Sequence, residues 1–210
     1  MRYTAAHVRR VIEIATQAAR ARQNGQSNIT LGSGASAQRL DLNRGGYCAR
    51  FVRQVHEIAC GLSDGGWEYA AGTATDMCDR LRAGGRQVDP ATMRPGDILG
   101  INRNSGTYGH IAIYVGDGQI AENTSSATRG NPRSPGTKLT PLADVADRVT
   151  GCYRLAEAYV IVQRESGEVL TRRGEIRGDE LWVPAREVLE AMGVERITDH
   201  LRDEGKVYVG

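Results

Sequence analysis

Two stretches of this sequence decide the predicted fold: Gly45-Gly46-Tyr47-Cys48-Ala49-Arg50-Phe51-Val52 and Gly109-His110-Ile111-Ala112-Ile113-Tyr114-Val115-Gly116. Glycines followed by apolar residues at helical spacing predict a loop that enters a helix, with Cys48 in the first turn. A thiol ionises readily there, because unpaired backbone N–H groups and the helix dipole stabilise the thiolate. The second stretch predicts that His110 begins a strand rich in β-branched residues. Together they offer a candidate nucleophile and its base.

Composition limits the class of protein. The chain has 210 residues, which is enough for one domain of ordinary size and a small appendage. A formal net charge of +2 gives no strong field, so no nucleic-acid partner is predicted. No stretch approaches the roughly 20 apolar residues that span a bilayer, so no membrane insertion is predicted. The first residues lack the apolar core of a secretory signal, and we expect synthesis in the cytoplasm without a signal peptide.

The four cysteines do not form a metal-binding pattern. Cys48, Cys60, Cys78 and Cys152 include no Cys-x-x-Cys pair, and no histidine stands at zinc-ligand spacing. We therefore predict no metal site and no cofactor. Cys60 and Cys78 are interpreted as small buried hydrophobes on helix faces, and Cys152 receives no role.

Apolar periodicity gives the order of the elements. It predicts an amphipathic helix over about residues 4–22, an irregular segment over 24–46 and a helix over about 67–82. A β-hairpin is predicted over 110–124, around Gly116-Asp117-Gly118. We place the first domain at residues 1–158 and a small C-terminal module at 159–210, where strand patterns alternate with one short helix.

The residue that would orient His110 depends on the loop of this hairpin. A two-residue loop would bring Asn123 to the face of His110, whereas a three-residue loop would bring Glu122 there. Gly118 suits the left-handed position that the longer loop needs. We therefore predict Glu122 as the orienting residue and keep Asn123 as the alternative.

Two other ionisable residues are predicted to have no part in the chemistry. His56 lies two turns into the helix that Cys48 begins, and a regular helix keeps it away from the thiol. Asp97 follows a Pro-Gly pair, where an aspartate usually bonds local backbone as a turn residue.

The motifs Gly-Tyr-Cys48-Ala-Arg-Phe-Val, Arg94-Pro-Gly-Asp-Ile-Leu and Gly-His110-Ile-Ala-Ile-Tyr-Val-Gly-Asp-Gly resemble those of the NlpC-type and CHAP-type cysteine peptidases, which cut bacterial peptidoglycan. The resemblance covers roughly residues 40–125. It implies an α+β papain-like core, with helices packed on an antiparallel sheet, and a third polar residue at position 122. It also suggests a phenol from Tyr47 near the oxyanion. The family usually has Asp-Cys-Ser-Gly around the nucleophile, and this sequence departs from that pattern.

The C-terminal stretch 159–210 resembles the small domain named for the N-terminal part of copper amine oxidases, although it carries no copper ligand set. Such domains are thought of as stalk or wall-attachment modules in bacterial surface proteins. About 50 residues is near the lower limit for independent folding. We therefore expect this module to pack on its neighbour or on a second copy of the chain, which would make a homo-oligomer.

The function hypothesis is a cell-wall hydrolase that cleaves an amide bond of peptidoglycan through Cys48, His110 and Glu122. Without a signal peptide, we expect it to reach the wall as a phage-type lysin or by another non-signal route. One alternative is an intracellular acyltransferase or deamidase of the same superfamily. Another is a catalytically inactive wall-binding or structural module.

Overall fold

The computed structural model describes residues 3–102, 109–125, 135–155, 158–163, 169–177 and 180–182. The chain divides into two compact units, Tyr3–Leu155 and Ala156–Gly210. The described helices are α1 (Ala5–Gln23), α2 (Cys48–Ala59) and α3 (Ala74–Ala83). The strands of the first unit are β1 (Asn28–Leu31), β2 (Gln38–Asp41), β3 (Gln87–Val88), β4 (Ile98–Ile101), β5 (His110–Gly116), β6 (Gln119–Thr124), β7 (Gly136–Pro141) and β8 (Val149–Tyr153). No described helix has the length and apolar character needed to cross a membrane.

The main sheet has six antiparallel strands in the order β3-β8-β4-β5-β6-β7. Helices α1 and α2 pack against β5, β6 and β7. A buried apolar cluster from the middle of the sheet and the segment before β8 comprises Leu99, Ile101, Ala112, Ile120, Val145 and Cys152. The predicted α+β class, with helices packed on an antiparallel sheet, is confirmed.

The first helix begins with reciprocal capping. The Thr4 side chain accepts from the backbone N–H of His7, and the His7 ring accepts from the backbone N–H of Thr4. These bonds satisfy donors that a helix start leaves unpaired. The helix predicted over 4–22 is therefore confirmed.

Helix α3 starts later than predicted. Thr73 caps it by accepting a 3.1 Å hydrogen bond from the N–H of Asp76, and residues 67–73 form turns and irregular backbone. Alanines at helical spacing suggested a start near Trp67. That start was wrong, because Gly72 weakens a helix there and the threonine supplies a stronger start signal.

The segment predicted to be irregular over residues 24–46 contains a two-stranded sheet. Ile29 of β1 pairs with Leu40 of β2, and the burial of β2 alternates along the strand. Leu40 and Leu42 are fully buried. The prediction of an irregular segment was therefore wrong for these residues. Alternation of buried and exposed side chains over four residues was enough to form a strand, although polar residues dominate the segment.

The second unit contains a three-stranded antiparallel sheet of β9 (Ala158–Gln163), β10 (Val169–Arg177) and β11 (Glu180–Trp182), in the order β11-β10-β9. The strand pattern predicted at the start of the module coincides with β9. The helix predicted over 185–192 and the last strand over 206–209 lie outside the described residues.

Candidate active site

Cys48 is the first residue of α2, as the sequence predicts. The first helical hydrogen bond runs from the N–H of Phe51 to the carbonyl of Tyr47, at 2.8 Å. The N–H groups of Cys48, Ala49 and Arg50 therefore precede the helical ladder and have no acceptor inside the helix. Cys48 itself is half-buried.

The β5–β6 hairpin combines the two loop geometries considered for it. Gly116 pairs with Gln119, which leaves Asp117 and Gly118 as a two-residue turn with positive φ angles of 49° and 64°. Such angles are those of a tight hairpin turn. The register then shifts, so that Tyr114 pairs with Ile120, as a three-residue loop would give.

This shift is a β-bulge at Val115, and it decides which residue faces His110. A one-residue change of register moves every side chain to the opposite face of the sheet. With the bulge in place, Glu122 shares the face of His110 and Asn123 lies on the other face. The register places Glu122 as a three-residue loop would, although the closing pair is that of the shorter loop.

His110 and Glu122 form a buried ion pair. The distance from His110 Nε2 to Glu122 Oε2 is 2.6 Å, and the two side chains are 4% and 1% exposed. The other carboxylate oxygen of Glu122 accepts a 2.6 Å hydrogen bond from the hydroxyl of Thr140 on β7. Lys138, paired with Glu122 across the strands, adds a favourable positive charge. Both oxygens of the carboxylate are therefore held, and Nδ1 is the ring nitrogen of His110 left for another partner.

The Cys48 thiol lies beside the His110 ring, and each of the two groups shifts the pKa of the other. Burial raises the pKa of the Cys48 thiol. The hydrogen bond and charge of His110, with the N–H groups of Ile111 and Ala49, outweigh burial and bring the pKa below its ordinary value. Burial likewise lowers the pKa of His110, but its bonds to Cys48 and Glu122 raise it more, so the net pKa is raised. The arrangement favours a thiolate beside an imidazolium.

The Glu122 carboxyl completes this electrostatic arrangement. Burial raises its pKa, but the hydrogen bond and charge of His110, the Thr140 hydroxyl and the charge of Lys138 lower the pKa further, to below its ordinary value. Glu122 therefore stays ionised and stabilises positive charge on the imidazole. The structure brings together the three residues that the sequence selected.

The other three cysteines have the opposite character. Burial raises the pKa of Cys78 to about 11, and burial with the charge of Asp97 raises that of Cys152 to about 12. Burial and the charge of Glu68 also raise the pKa of Cys60. These thiols stay protonated at neutral pH, which makes them poor nucleophiles.

Asn123 has a role that the sequence did not reveal. It is 1% exposed, and its side-chain oxygen accepts a 2.9 Å hydrogen bond from the N–H of Tyr47. Its amide donates to the carbonyl of Arg44 at 3.0 Å and to the hydroxyl of Thr137 at 3.1 Å. Asn123 therefore fixes the loop that leads into Cys48. The alternation of Glu122 and Asn123 along β6 was visible in the sequence, but the partner loop, 76 residues earlier in the chain, was not.

The ring of Tyr47 lies beside two guanidinium groups, with Arg44 Cζ at 4.8 Å and Arg50 Cζ at 5.7 Å from its centroid. These contacts engage the ring of the residue that precedes Cys48. The suggested role of its phenol near the oxyanion stays a prediction.

Asp97 is a structural residue rather than a site residue. It is 2% exposed, accepts from the N–H of Arg94 at 2.8 Å and pairs with the guanidinium of Arg154 at 2.7 Å. It thereby ties the turn before β4 to the chain after β8. The sequence found the turn but not the ion pair. No group of three His, Cys, Asp or Glu side chains suited to a metal ion occurs among the described residues.

No family model and no curated protein matches the sequence. One solved structure that this chain resembles is described as "similar to lipoprotein, NLP/P60 family", from Staphylococcus aureus subsp. aureus Mu50, with a TM-score of 0.43 and 17% sequence identity. The match covers 75% of this chain and 44% of that one, so this chain spans less than half the length of the solved protein. A TM-score of this size assigns no family, and the function is inferred below from the contacts of this chain's own residues.

Proposed function

We propose that the protein is a thiol hydrolase that cleaves an amide bond in peptidoglycan. The observation that carries the proposal is the Cys48 thiol beside the His110 ring, together with the 2.6 Å hydrogen bond between His110 and the Glu122 carboxylate. A thiol, a base within hydrogen-bond reach and a carboxylate that orients the base are the parts that nucleophilic acyl transfer needs.

The proposed reaction has two halves. The Cys48 thiolate attacks the carbonyl carbon of the amide, and the imidazolium of His110 gives its proton to the leaving amine as the C–N bond breaks. The product of this half is a thioester on Cys48. His110, now neutral, takes a proton from water, whose oxygen attacks the thioester and releases the acid and the thiol.

Two features of the site would lower the barriers. Glu122 would stabilise the imidazolium, since a buried carboxylate at 2.6 Å favours the charged ring. The N–H groups in the first turn of α2, which precede the helical ladder, would donate to the oxyanion, because the tetrahedral intermediate develops its negative charge next to the sulfur.

The choice of peptidoglycan as substrate rests on the motifs around Cys48 and His110, and the test addresses it directly. Purified peptidoglycan is incubated in ¹⁸O-labelled water with the wild-type protein or with Cys48→Ala, and the soluble fragments are analysed by mass spectrometry. We expect new fragments from the wild type alone, each with one ¹⁸O atom in the newly formed carboxylate.

Each alternative gives a different result in this experiment. A deamidase would release ammonia and leave the polymer uncut. An acyltransferase would form a new amide or ester without taking up ¹⁸O. A wall-binding module without activity would sediment with the polymer and give no fragments, with the wild type and the variant alike. Any of these three results would contradict the proposal.

For residues 159–210 we propose a part in localisation rather than in catalysis. The segment contains no cysteine, and His200 is its single histidine. A protein that ends at residue 158 should turn over soluble muropeptides within severalfold of the full chain, while pull-down on intact walls or self-association becomes weaker. An insoluble or inactive truncated protein would show instead that the segment covers apolar surface of the catalytic domain. A phage-type route to the wall also belongs to the proposal. It would be tested by asking whether lysis needs a co-expressed membrane-permeabilising protein.

A further inference from the structure

Two arginines close to the candidate nucleophile in sequence form no ion pair with any residue that the structure describes. Arg44 and Arg50 are exposed, and within the part of the chain that the structure describes neither guanidinium forms an ion pair or a hydrogen bond. Several other arginines of the first unit do pair with carboxylates: Arg10 with Glu13, Arg53 with Glu57 and Asp64, Arg82 with Asp79, and Arg154 with Asp97. The two cations next to Cys48 are therefore left available.

These cations stand on either side of Cys48 along the chain and share one aromatic partner. Arg44 lies four residues before the thiol and Arg50 two residues after it, and both guanidinium carbons are within 6 Å of the Tyr47 ring centroid. A guanidinium held against a ring keeps its donors free at its edge, because the contact uses the face of the group.

The backbone that carries two of these residues is fixed before any substrate arrives. Asn123 bonds the carbonyl of Arg44 and the N–H of Tyr47. Gly45, between them, lies so close to β6 that an added Cβ would clash with the carbonyl oxygen of Thr124. A loop held at three successive points loses little freedom on binding a ligand, which favours affinity.

From this arrangement we propose that Arg44, Tyr47 and Arg50 form a subsite for a carboxylate of the substrate, next to the amide that Cys48 attacks. The proposal deepens the proposed function and depends on it for the position of the reacting amide. Guanidinium groups bind carboxylates through paired N–H donors, and uncompensated positive charge on a preorganised rim selects an anionic ligand over a neutral one of the same shape. The cleaved strand is therefore one whose peptide carries a free carboxylate close to the scissile bond.

The experiment compares two soluble muropeptides that differ only in this carboxylate, which is free in one and amidated in the other. The proteins are the wild type, Arg44→Gln, Arg50→Gln, the double variant and Arg9→Gln. Arg9 is a suitable control for the lost charge, because it is an exposed residue of α1. The ring of Tyr3, just before that helix, contacts the ring of His56, which lies towards the far end of α2.

We expect each single variant to lower kcat/KM for the free acid by roughly three- to tenfold, mainly through KM, and to leave the amidated peptide almost unchanged. The preference of the wild type for the acid should shrink in 0.5 M salt, since exposed charges are screened. Arg9→Gln should match the wild type on both peptides. Equal loss on both peptides, or no preference for the acid, would overturn the subsite.

A binding measurement separates this proposal from the catalytic one. The Cys48→Ala protein is titrated calorimetrically with the same two peptides, with and without Arg44→Gln. Tighter binding of the acid that is lost with Arg44→Gln supports the subsite even if no turnover is ever observed. Turnover of both peptides without any difference in binding would overturn the subsite and leave the hydrolase intact.

Discussion

Each end of helix α2 has a cysteine and a buried histidine, and the two ends have opposite chemistry. At the start of the helix, the Cys48 thiol lies beside the His110 ring, and His110 bonds to Glu122. At the far end, Cys60 follows His56, which stacks on the ring of Trp67 with a centroid distance of 4.7 Å and an interplanar angle of 4°. Neither ring nitrogen of His56 has a hydrogen-bond partner among the residues that the structure describes.

The difference shows that burial does not make a reactive pair. His56 is 2% exposed and His110 is 4% exposed. Burial lowers the pKa of His56 to about 3, whereas the partners of His110 reverse the same effect and raise its pKa. A neutral imidazole that cannot take a proton is no base at neutral pH. The Glu122 carboxylate, and not the degree of burial, distinguishes His110 from His56.

The largest expected effect is therefore a contrast between two thiols. Cys48→Ala should lower turnover by roughly 10³-fold or more, while Cys60→Ala should keep most of the activity. Iodoacetamide at mildly acidic pH should label Cys48 first, because its lowered pKa leaves it the most ionised thiol. Peptide mapping of the labelled protein checks this order. Equal labelling of several cysteines, with activity retained in Cys48→Ala, would contradict the assignment.

The second largest effect should come from removing the Glu122 charge, which makes His110 differ from His56. Glu122→Gln keeps a hydrogen-bonding group beside His110 but removes the negative charge, and activity should fall by roughly one to three orders of magnitude. The sign of the pH effect follows. Without the carboxylate the pKa of His110 falls, the imidazolium is less stable, and the pKa of Cys48 rises. The pH profile of Cys48 alkylation should move to higher pH.

Thr140→Val is the matched control for this variant. It removes the 2.6 Å donor to the other carboxylate oxygen and keeps the charge. Because the carboxylate stays ionised, the pH profile of Thr140→Val should stay close to that of the wild type. A profile that does not move in Glu122→Gln would mean that Glu122 has only a structural role.

The sequence predicted these residues because their signals are local. Glycines before an apolar helix located Cys48, and a β-branched run located His110 at the start of β5. The bulge at Val115 could not be predicted from the sequence, because a tight turn and a register shift of one residue leave no separate signal in the residue pattern. Two other features were not predicted. Helix α3 starts at its cap and not at the first alanine of the apolar pattern, and β1 and β2 pair because two leucines are buried in a segment that is polar overall.

A third variant, Asn123→Ala, tests the contact that sequence could not supply. It leaves the N–H of Tyr47 and the carbonyl of Arg44 without their partner, at a cost of about 1–3 kcal/mol in the free energy of unfolding. Activity should fall by about tenfold, because the loop before Cys48 loosens while His110 and Glu122 stay paired. Thermal unfolding and turnover measure both effects.

Asn123→Asp distinguishes the hydrogen bond that the Asn123 side chain accepts from those that it donates. An aspartate still accepts from the N–H of Tyr47 but cannot donate to the carbonyl of Arg44 or the hydroxyl of Thr137. Its activity should lie between those of the wild type and Asn123→Ala. A loss larger than that of Glu122→Gln, together with a shifted alkylation profile, would show that Asn123 acts on the imidazole after all.

The smallest effect on activity, and the sharpest test of the comparison, comes from the unpartnered histidine. His56→Phe keeps an aromatic ring against Trp67 and should leave turnover at neutral pH within about twofold of wild type, since His56 takes no part in the chemistry.

The effect of His56→Phe on stability should appear at acidic pH. The folded-state pKa of His56, about 3, lies below the unfolded value near 6.5, so between these values the unfolded state binds more protons. Stability that is present above pH 6.5 is therefore lost as the pH falls, at up to about 1.4 kcal/mol per pH unit for one group. Urea unfolding at several pH values should give a shallower decline for His56→Phe than for the wild type between pH 6.5 and pH 4. Identical declines would mean that the protonated ring of His56 has a hydrogen-bond acceptor in the folded protein, and the two ends of α2 would then differ less than their geometry indicates.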